Sequence, residues 1–182
     1  MKRFLIGLLL VSSHSMAWET TYDEIDDGYF ASQSSETFSN TTLSIYFYMS
    51  QSCNPLLVKL AVHDDVLDEG SEADNLKFRV DKGAVHIVQG KYSHSSFMFE
   101  GRKFYRSMLG GKITSAQLNE IMSGTKIIVR DVDEELGTDR YTLMGSSRAI
   151  SNARAFCLKD MGKEWGNSPT KVPAYSGDEW SA

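Results

Sequence analysis

The chain has 182 residues, with 24 acidic against 19 basic side chains and a formal charge of −5. That length is one domain's worth, and an acidic balance is repelled by phosphate backbones, which argues against nucleic acid as a partner. Apolar residues make up 41% of the chain, enough for one ordinary core and unlike a small scaffold held by many disulfides.

The first residues carry an export signature. Met1, Lys2 and Arg3 form a positive leader, residues 4–11 (FLIGLLLV) an apolar run, and Ser15-Met16-Ala17 places small residues at a cleavage site. Eight apolar residues fall short of the roughly 20 that a membrane-spanning helix needs. Residues 1–17 are therefore expected to be a signal peptide cleaved after Ala17, and the protein to be periplasmic or secreted. Residues 18–161 are expected to form a single β-rich domain, and 162–182 a polar, loosely ordered tail. Cleavage removes Lys2 and Arg3 and leaves 17 basic residues against 24 acidic. No later stretch is long and apolar enough for stable membrane insertion.

Residues 18–24 and 28–33 read as two short strands around the acidic turn Asp26-Asp27-Gly28. Residues 43–50 then alternate: Leu43, Ile45, Phe47 and Met49 on one side, Ser44, Tyr46, Tyr48 and Ser50 on the other. Period two marks a half-buried strand with its tyrosines turned to solvent. Cys53 and the breaker Asn54-Pro55 separate it from a second strand, residues 56–63 (LLVKLAVH), as in a hairpin at the middle of a sheet. Six carboxylates between Asp64 and Asp74 follow; their spacing misses the calcium-loop pattern, so a solvated connector is expected and no metal. Residues 76–91 and 95–105 read as further strands, turned at Asp81-Lys82-Gly83 and at Glu100-Gly101, with Gly110-Gly111 closing the β-rich half.

A first helix begins at Thr114, whose spacing to Gln117 fits a capping box, and Gly124 stands where a left-handed C-cap belongs. A buried strand, residues 126–130 (KIIVR), an acidic turn and a last strand over 141–144 follow. The final helix starts at Ser146 or Ser147 as N-cap. It places Ile150, Ala153 and Cys157 on one face, widened by Ala149 and Phe156. Cys53 and Cys157 are the only cysteines, and in an exported chain two cysteines pair most simply with each other. The fold class expected is mainly β (α+β): an antiparallel sandwich or curled sheet with two short helices packed on it and one disulfide.

No catalytic constellation stands out. His63, His86 and His94 form no metal-ligand spacing. His63 beside Asp64 is an acid–base pair in composition, but a strand-end histidine next to a solvated loop is the preferred account. Ser146 sits between strand and helix like an esterase nucleophile, yet the second glycine of that motif is missing. Ser168 and Lys171 match a serine–lysine spacing only in the tail. The expectation is no enzyme and no cofactor. What remains is aromatic surface: Tyr46 and Tyr48, with Tyr22 and Tyr29 from neighbouring strands, are candidate partner-binding residues, since tyrosine is enriched at protein contacts.

The closing pattern, an apolar strand (KIIVR), an acidic loop and then YTLMGSSRAISNARAFC, resembles the C-terminal part of invasion-associated locus B-like periplasmic proteins. In those proteins a strand runs into a turn of glycine and small residues, then an alanine-rich helix ending in cysteine; the early Trp18 also fits. The resemblance covers residues 125–158 and implies a secreted bacterial β-sandwich-like protein without enzymatic activity. The reading is a periplasmic or secreted protein-binding domain: an inhibitor, an immunity-type factor or an envelope accessory factor. Its partner would be another exported or envelope protein; oligomeric state is left open. The alternatives are a secreted hydrolase using His63 with a nearby carboxylate, and a carrier of a small apolar ligand.

Intact mass of the exported protein is expected to equal residues 18–182 less two hydrogens. Two free thiols without reductant would remove the disulfide. Replacing Cys157 by Ser is expected to cost about 2–5 kcal/mol in a denaturant melt, the usual range for a native bridge.

Overall fold

The computed structural model describes residues 17–24, 27–37, 40–63, 70–99, 101–131 and 137–166. Residues 1–16 of the expected signal sequence, the first half of the acidic loop and the chain beyond 166 lie outside them. Nine strands form one antiparallel sheet: β1 (Glu19–Asp23), β2 (Gly28–Ser34), β3 (Thr41–Tyr48), β4 (Pro55–His63), β5 (Gly70–Val80), β6 (His86–Phe99), β7 (Arg102–Lys112), β8 (Lys126–Asp131) and β9 (Thr138–Thr142). Two helices, α1 (Ser115–Ser123) and α2 (Ser146–Gly166), complete the fold. The sheet order is β1-β2-β3-β4-β7-β6-β5-β8-β9.

The sheet curls until its last strand meets its beginning. The Glu36 amide, just past β2, donates to the Arg140 carbonyl of β9 at 2.8 Å. Behind that contact lies a buried ion pair: Lys59 Nζ of β4 stands 2.8 Å from Asp139 Oδ2 of β9, both side chains fully buried. Lys59 also donates to the Gly137 carbonyl at 2.7 Å. The other Asp139 oxygen accepts from the hydroxyls of Ser35 at 2.7 Å and Thr41 at 2.9 Å. The inner face of the curl holds the core, with Leu43, Ile45, Phe47, Leu57, Leu76, Phe78, Leu109, Ile127 and Tyr141 all essentially inaccessible. Burial pushes the Tyr141 phenol above its ordinary range.

Helix α2 packs on β1, β2 and β3, and its apolar face is the expected one: Ala149, Ile150, Ala153 and Cys157 are buried. Cys157 is bonded to Cys53, in the turn after β3, with Cα atoms 6.0 Å apart and 104 residues between them in sequence. Trp18, also buried, donates its indole N–H to the Thr142 carbonyl at 2.7 Å. The fold class is as expected: mainly β, a curled antiparallel sheet with two helices and one disulfide.

Several local expectations are corrected. The half-buried strand is covered on both sides, because Ser44 and Tyr46 on its second face are buried too; its last two residues, Met49 and Ser50, belong to a single 3-10 turn, Met49–Gln51. The acidic connector is strand from Gly70 onward, where Ser71 to Asp74 pair with β6. The glycine pair does not end the β half, since β7 runs through it to Lys112. The capping box forms as read, with the Thr114 amide donating to Gln117 Oε1 at 2.8 Å and the Gln117 amide to Thr114 Oγ1 at 3.2 Å. Gly124, however, is extended (φ −80°, ψ 174°); a side chain there would collide with Val80 and Leu143, so close packing explains the glycine. The last strand begins at Thr138, three residues early, because the polar Asp139 finds its partner inside the barrel-like curl. Ser146 is buried and donates weakly to the Ile121 carbonyl (3.4 Å). The N-cap is instead Gly145 (φ +86°), whose carbonyl accepts the first helical bond, from Ala149, at 3.2 Å. Helix α2 also runs past Met161 to Gly166, since one glycine costs a helix only about 1 kcal/mol and Lys163 and Glu164 favour it.

Lys59→Met alone leaves a carboxylate buried without its cation and is expected to cost about 3–5 kcal/mol in urea denaturation. Lys59→Met combined with Asp139→Leu is expected to be markedly less costly than that single change. Equal losses would show that the pair contributes no more than side-chain volume.

Candidate functional site

Alternation on each strand sorts side chains to the inner or the outer face of the curl. On the outer face, Phe30 of β2, Tyr46 of β3 and Leu56 of β4 occupy one cross-strand row. Val58 opposes Gly110, and Leu60 opposes Met108, in the next rows across β4 and β7. Phe30, Tyr46, Tyr48, Leu56, Val58 and Met108 form a second apolar cluster, separate from the core. Tyr46 stacks on Phe30 at 4.8 Å and on Tyr48 at 5.3 Å between ring centroids.

A groove of about 520 Å³ crosses this face, bounded by Tyr48, Leu56, Val58, Met108 and Ser93, with Lys91 at its rim. Gly110 is its floor. A wider cleft of about 840 Å³ shares Leu56, Lys91 and Gly110 and leads on toward Gln117 of α1. The floor has a sequence cause in Gly110, where a side chain would crowd Val58. Gly90 pairs with Gly111, and Lys91 with Gly110. A side chain at Gly90 or Gly111 would run into the opposite backbone, so β6 and β7 cross more closely than other residues allow.

The four tyrosines expected to share a surface are divided between the two faces. Tyr46 and Tyr48 belong to the outer groove, but Tyr46 is only 9% exposed; neighbouring strands cover it, which alternation along one strand does not reveal. Tyr22 and Tyr29 pair across β1 and β2 on the face that α2 covers. Tyr29 donates to Asp160 of α2 and lies 5.6 Å from the Phe156 ring. That hydrogen bond, then partial burial, raises its phenol pKa. Tyr22 is 44% exposed and donates to Asp27 Oδ1 at 2.7 Å; chiefly through this bond its pKa is pushed up to about 12. Tyr29 thus ties the helix to the sheet.

The histidines are scattered. His63 ends β4 opposite Tyr105, with its Nε2 buried; its sequence neighbour Asp64 lies outside the described residues. His86 meets Glu120 of α1 at 2.7 Å, and His94 Nδ1 lies 3.0 Å from the Ser107 hydroxyl. Ser146 is sealed beneath α1. Ser168 and Lys171 lie outside the described residues, as do four of the six loop carboxylates, Asp64, Asp65, Asp68 and Glu69. Among the described residues no three His, Cys, Asp or Glu side chains are grouped to hold a metal ion. Nothing in the sequence marks Leu56, Val58, Lys91 or Met108 as groove residues, and Gly110 reads there only as the end of a strand region; the G-x₁₉-G-G spacing alone carries no sign that β6 and β7 bring those glycines together.

Fold and site together define a curled antiparallel sheet with a disulfide-tethered helix on its inner face and an apolar groove on its outer one. Comparison with known proteins gave no matching family model, no matching curated protein and no matching solved structure.

Truncating a buried ring costs more than truncating a half-exposed one. Tyr46→Ser is expected to destabilise by about 2–4 kcal/mol, and Tyr48→Ser by clearly less, read from paired denaturant melts. Equal costs would mean that Tyr46 gains nothing from its burial between Phe30 and Tyr48.

Proposed function

We propose that this protein is an exported, non-enzymatic binding domain whose outer-face groove receives a segment of another exported or envelope protein. The observation that carries this reading is the groove itself: an apolar trough walled by Tyr48, Leu56, Val58 and Met108, floored by Gly110 and edged by Lys91. Aromatic and methionine side chains around a depression are what protein contacts enrich, and a glycine floor lets a partner's backbone or small side chain approach the sheet closely.

Export to the periplasm or beyond is part of the proposal. It rests on the leader sequence and suits the Cys53–Cys157 bond, because disulfides persist in oxidising compartments. Among the described residues no helix is long and apolar enough to cross a membrane. The resemblance to invasion-associated locus B-like proteins supports the same reading, an accessory factor of the bacterial envelope.

The test pairs capture with stability. Tyr48→Ser combined with Met108→Ser changes two half-buried groove walls and leaves the inner core untouched. A partner captured from periplasmic extract by the unaltered protein is expected to bind this variant at least 2 kcal/mol more weakly, the scale of an interface hot spot. Full affinity in the folded variant would remove the groove from the account.

A further inference from the structure

Strands β6 and β7 separate before their outer partners do. Their pairing stops at Gly90 and Gly111. Beyond that point β6 keeps only β5, with His86 to Gln89 opposite Phe78 to Asn75. Strand β7 keeps only β4: Lys112 pairs with Leu56, and the Ile113 amide donates to the Pro55 carbonyl at 3.2 Å. The sheet is split here, and the wider cleft of about 840 Å³ occupies the split. Ile87, Val88 and Gln89 line one side of it, and Lys112, Thr114 and Gln117 the other. Helix α1 closes the far end, where Glu120 meets His86 at 2.7 Å.

In an antiparallel strand, alternate residues turn their amide and carbonyl groups toward opposite neighbours. Half of those on His86–Gln89 face β5. The other half face the cleft and, among the described residues, meet no strand there. Proteins usually blunt such an edge with charge, proline or a covering element. Residues 84–89 are Ala-Val-His-Ile-Val-Gln, without proline, lysine or carboxylate, and Val85 and Ile87 are each 60% exposed. Uncovered β-branched side chains beside unpaired backbone groups form a template for one more strand. The opposite rim is basic. Lys112 is exposed and pairs with no carboxylate among the described residues, and the first turn of α1 holds no acid. Asp74, the acid lining the cleft, stands on the β5 side and accepts from the Asn75 amide at 2.5 Å.

We propose that the cleft receives an extended segment of the partner polypeptide, added to the β6 edge as a further strand, with an acidic side chain set against Lys112. This deepens the reading of the outer face as a polypeptide-binding surface and rests on it. Leu56, Lys91 and Gly110 line both depressions, so one chain can run from the groove into the split. In strand addition the backbone bonds supply affinity, and pockets for alternate side chains supply the choice of sequence. Here Ile87 and Leu56 offer apolar contact to one side chain of the segment, and Lys112 offers charge to another. The open edge runs from His86 to Gln89, about 13 Å on strand geometry, so the segment it takes is short. A partner helix has its backbone groups satisfied internally and gains nothing from this edge.

The experiment selects random peptides displayed on phage against the chain from Trp18 to its end, which carries every described strand and helix. Enriched peptides are expected to alternate apolar residues and to carry an acid. One of them, made synthetically, is expected to slow amide hydrogen exchange at alternate positions within residues 86–89. Methylating its backbone nitrogens one at a time is expected to weaken binding by about tenfold at alternate positions, the scale of a lost backbone bond with its partner left unpaired. Methylation at the positions between is expected to change little. Lys112→Glu, at an exposed site, is expected to lower affinity several-fold and to flatten its salt dependence. Tyr48→Ser with Met108→Ser separates this proposal from the groove. Alternating methylation effects with full binding by that variant would keep the edge and remove the groove; binding lost in the variant without alternation would do the reverse. No enriched peptide, equal effects of methylation at every position, or unchanged binding by Lys112→Glu would each overturn the proposal. So would slowed exchange at 86–89 that grows with protein concentration in the absence of peptide, which would point to a second copy.

Discussion

The fold depends on one buried ion pair, Lys59 with Asp139. It joins a central strand to the last strand of the same sheet, and thereby determines how far the sheet curls. Two charges withdrawn from water are tolerated only where geometry and further hydrogen bonds replace their hydration. Here the Ser35 and Thr41 hydroxyls donate to the second carboxylate oxygen, and the Gly137 carbonyl accepts from the ammonium. A slip of β9 by one residue would turn Asp139 outward and leave Lys59 buried alone. The pair thus selects a register as well as a curvature.

The disulfide acts on a different degree of freedom. Core packing would hold α2 loosely, because its inward stripe consists mostly of small side chains: Ala149, Ala153 and Cys157 around Ile150. The bond from Cys157 to the turn after β3 pins the helix along the sheet, and Tyr29 with Asp160 adds a polar tie nearby. With the inner face closed in this way, the outer face is left to meet other molecules. Gly110 floors a groove there.

Much of this was legible in the residues. Alternation over 43–50 and 56–63, the Thr114–Gln117 spacing, the Asp81 turn and the stripe ending at Cys157 each depend on interactions within a few residues. Local chemistry was enough to locate them. The disulfide was legible because two cysteines allow only one pairing. The β-rich class followed from the number of alternating stretches.

Tertiary structure alone decided which of those faces are covered, and with what. Period two says that Tyr46 and Phe47 point in opposite directions; it does not say that both directions are occupied, since the residues that cover Tyr46 come from β2 and β4. Nothing local marks Lys59, and Asp139 lies in what reads as an acidic turn, because each finds its partner only when the sheet curls round. The same holds for Gly90, Gly110 and Gly111, whose close approach exists only across a strand pair. Sequence determined the elements and their inward faces, because those follow from neighbours along the chain. Charge burial and the groove follow from neighbours in space, and only the curl of the sheet supplies them.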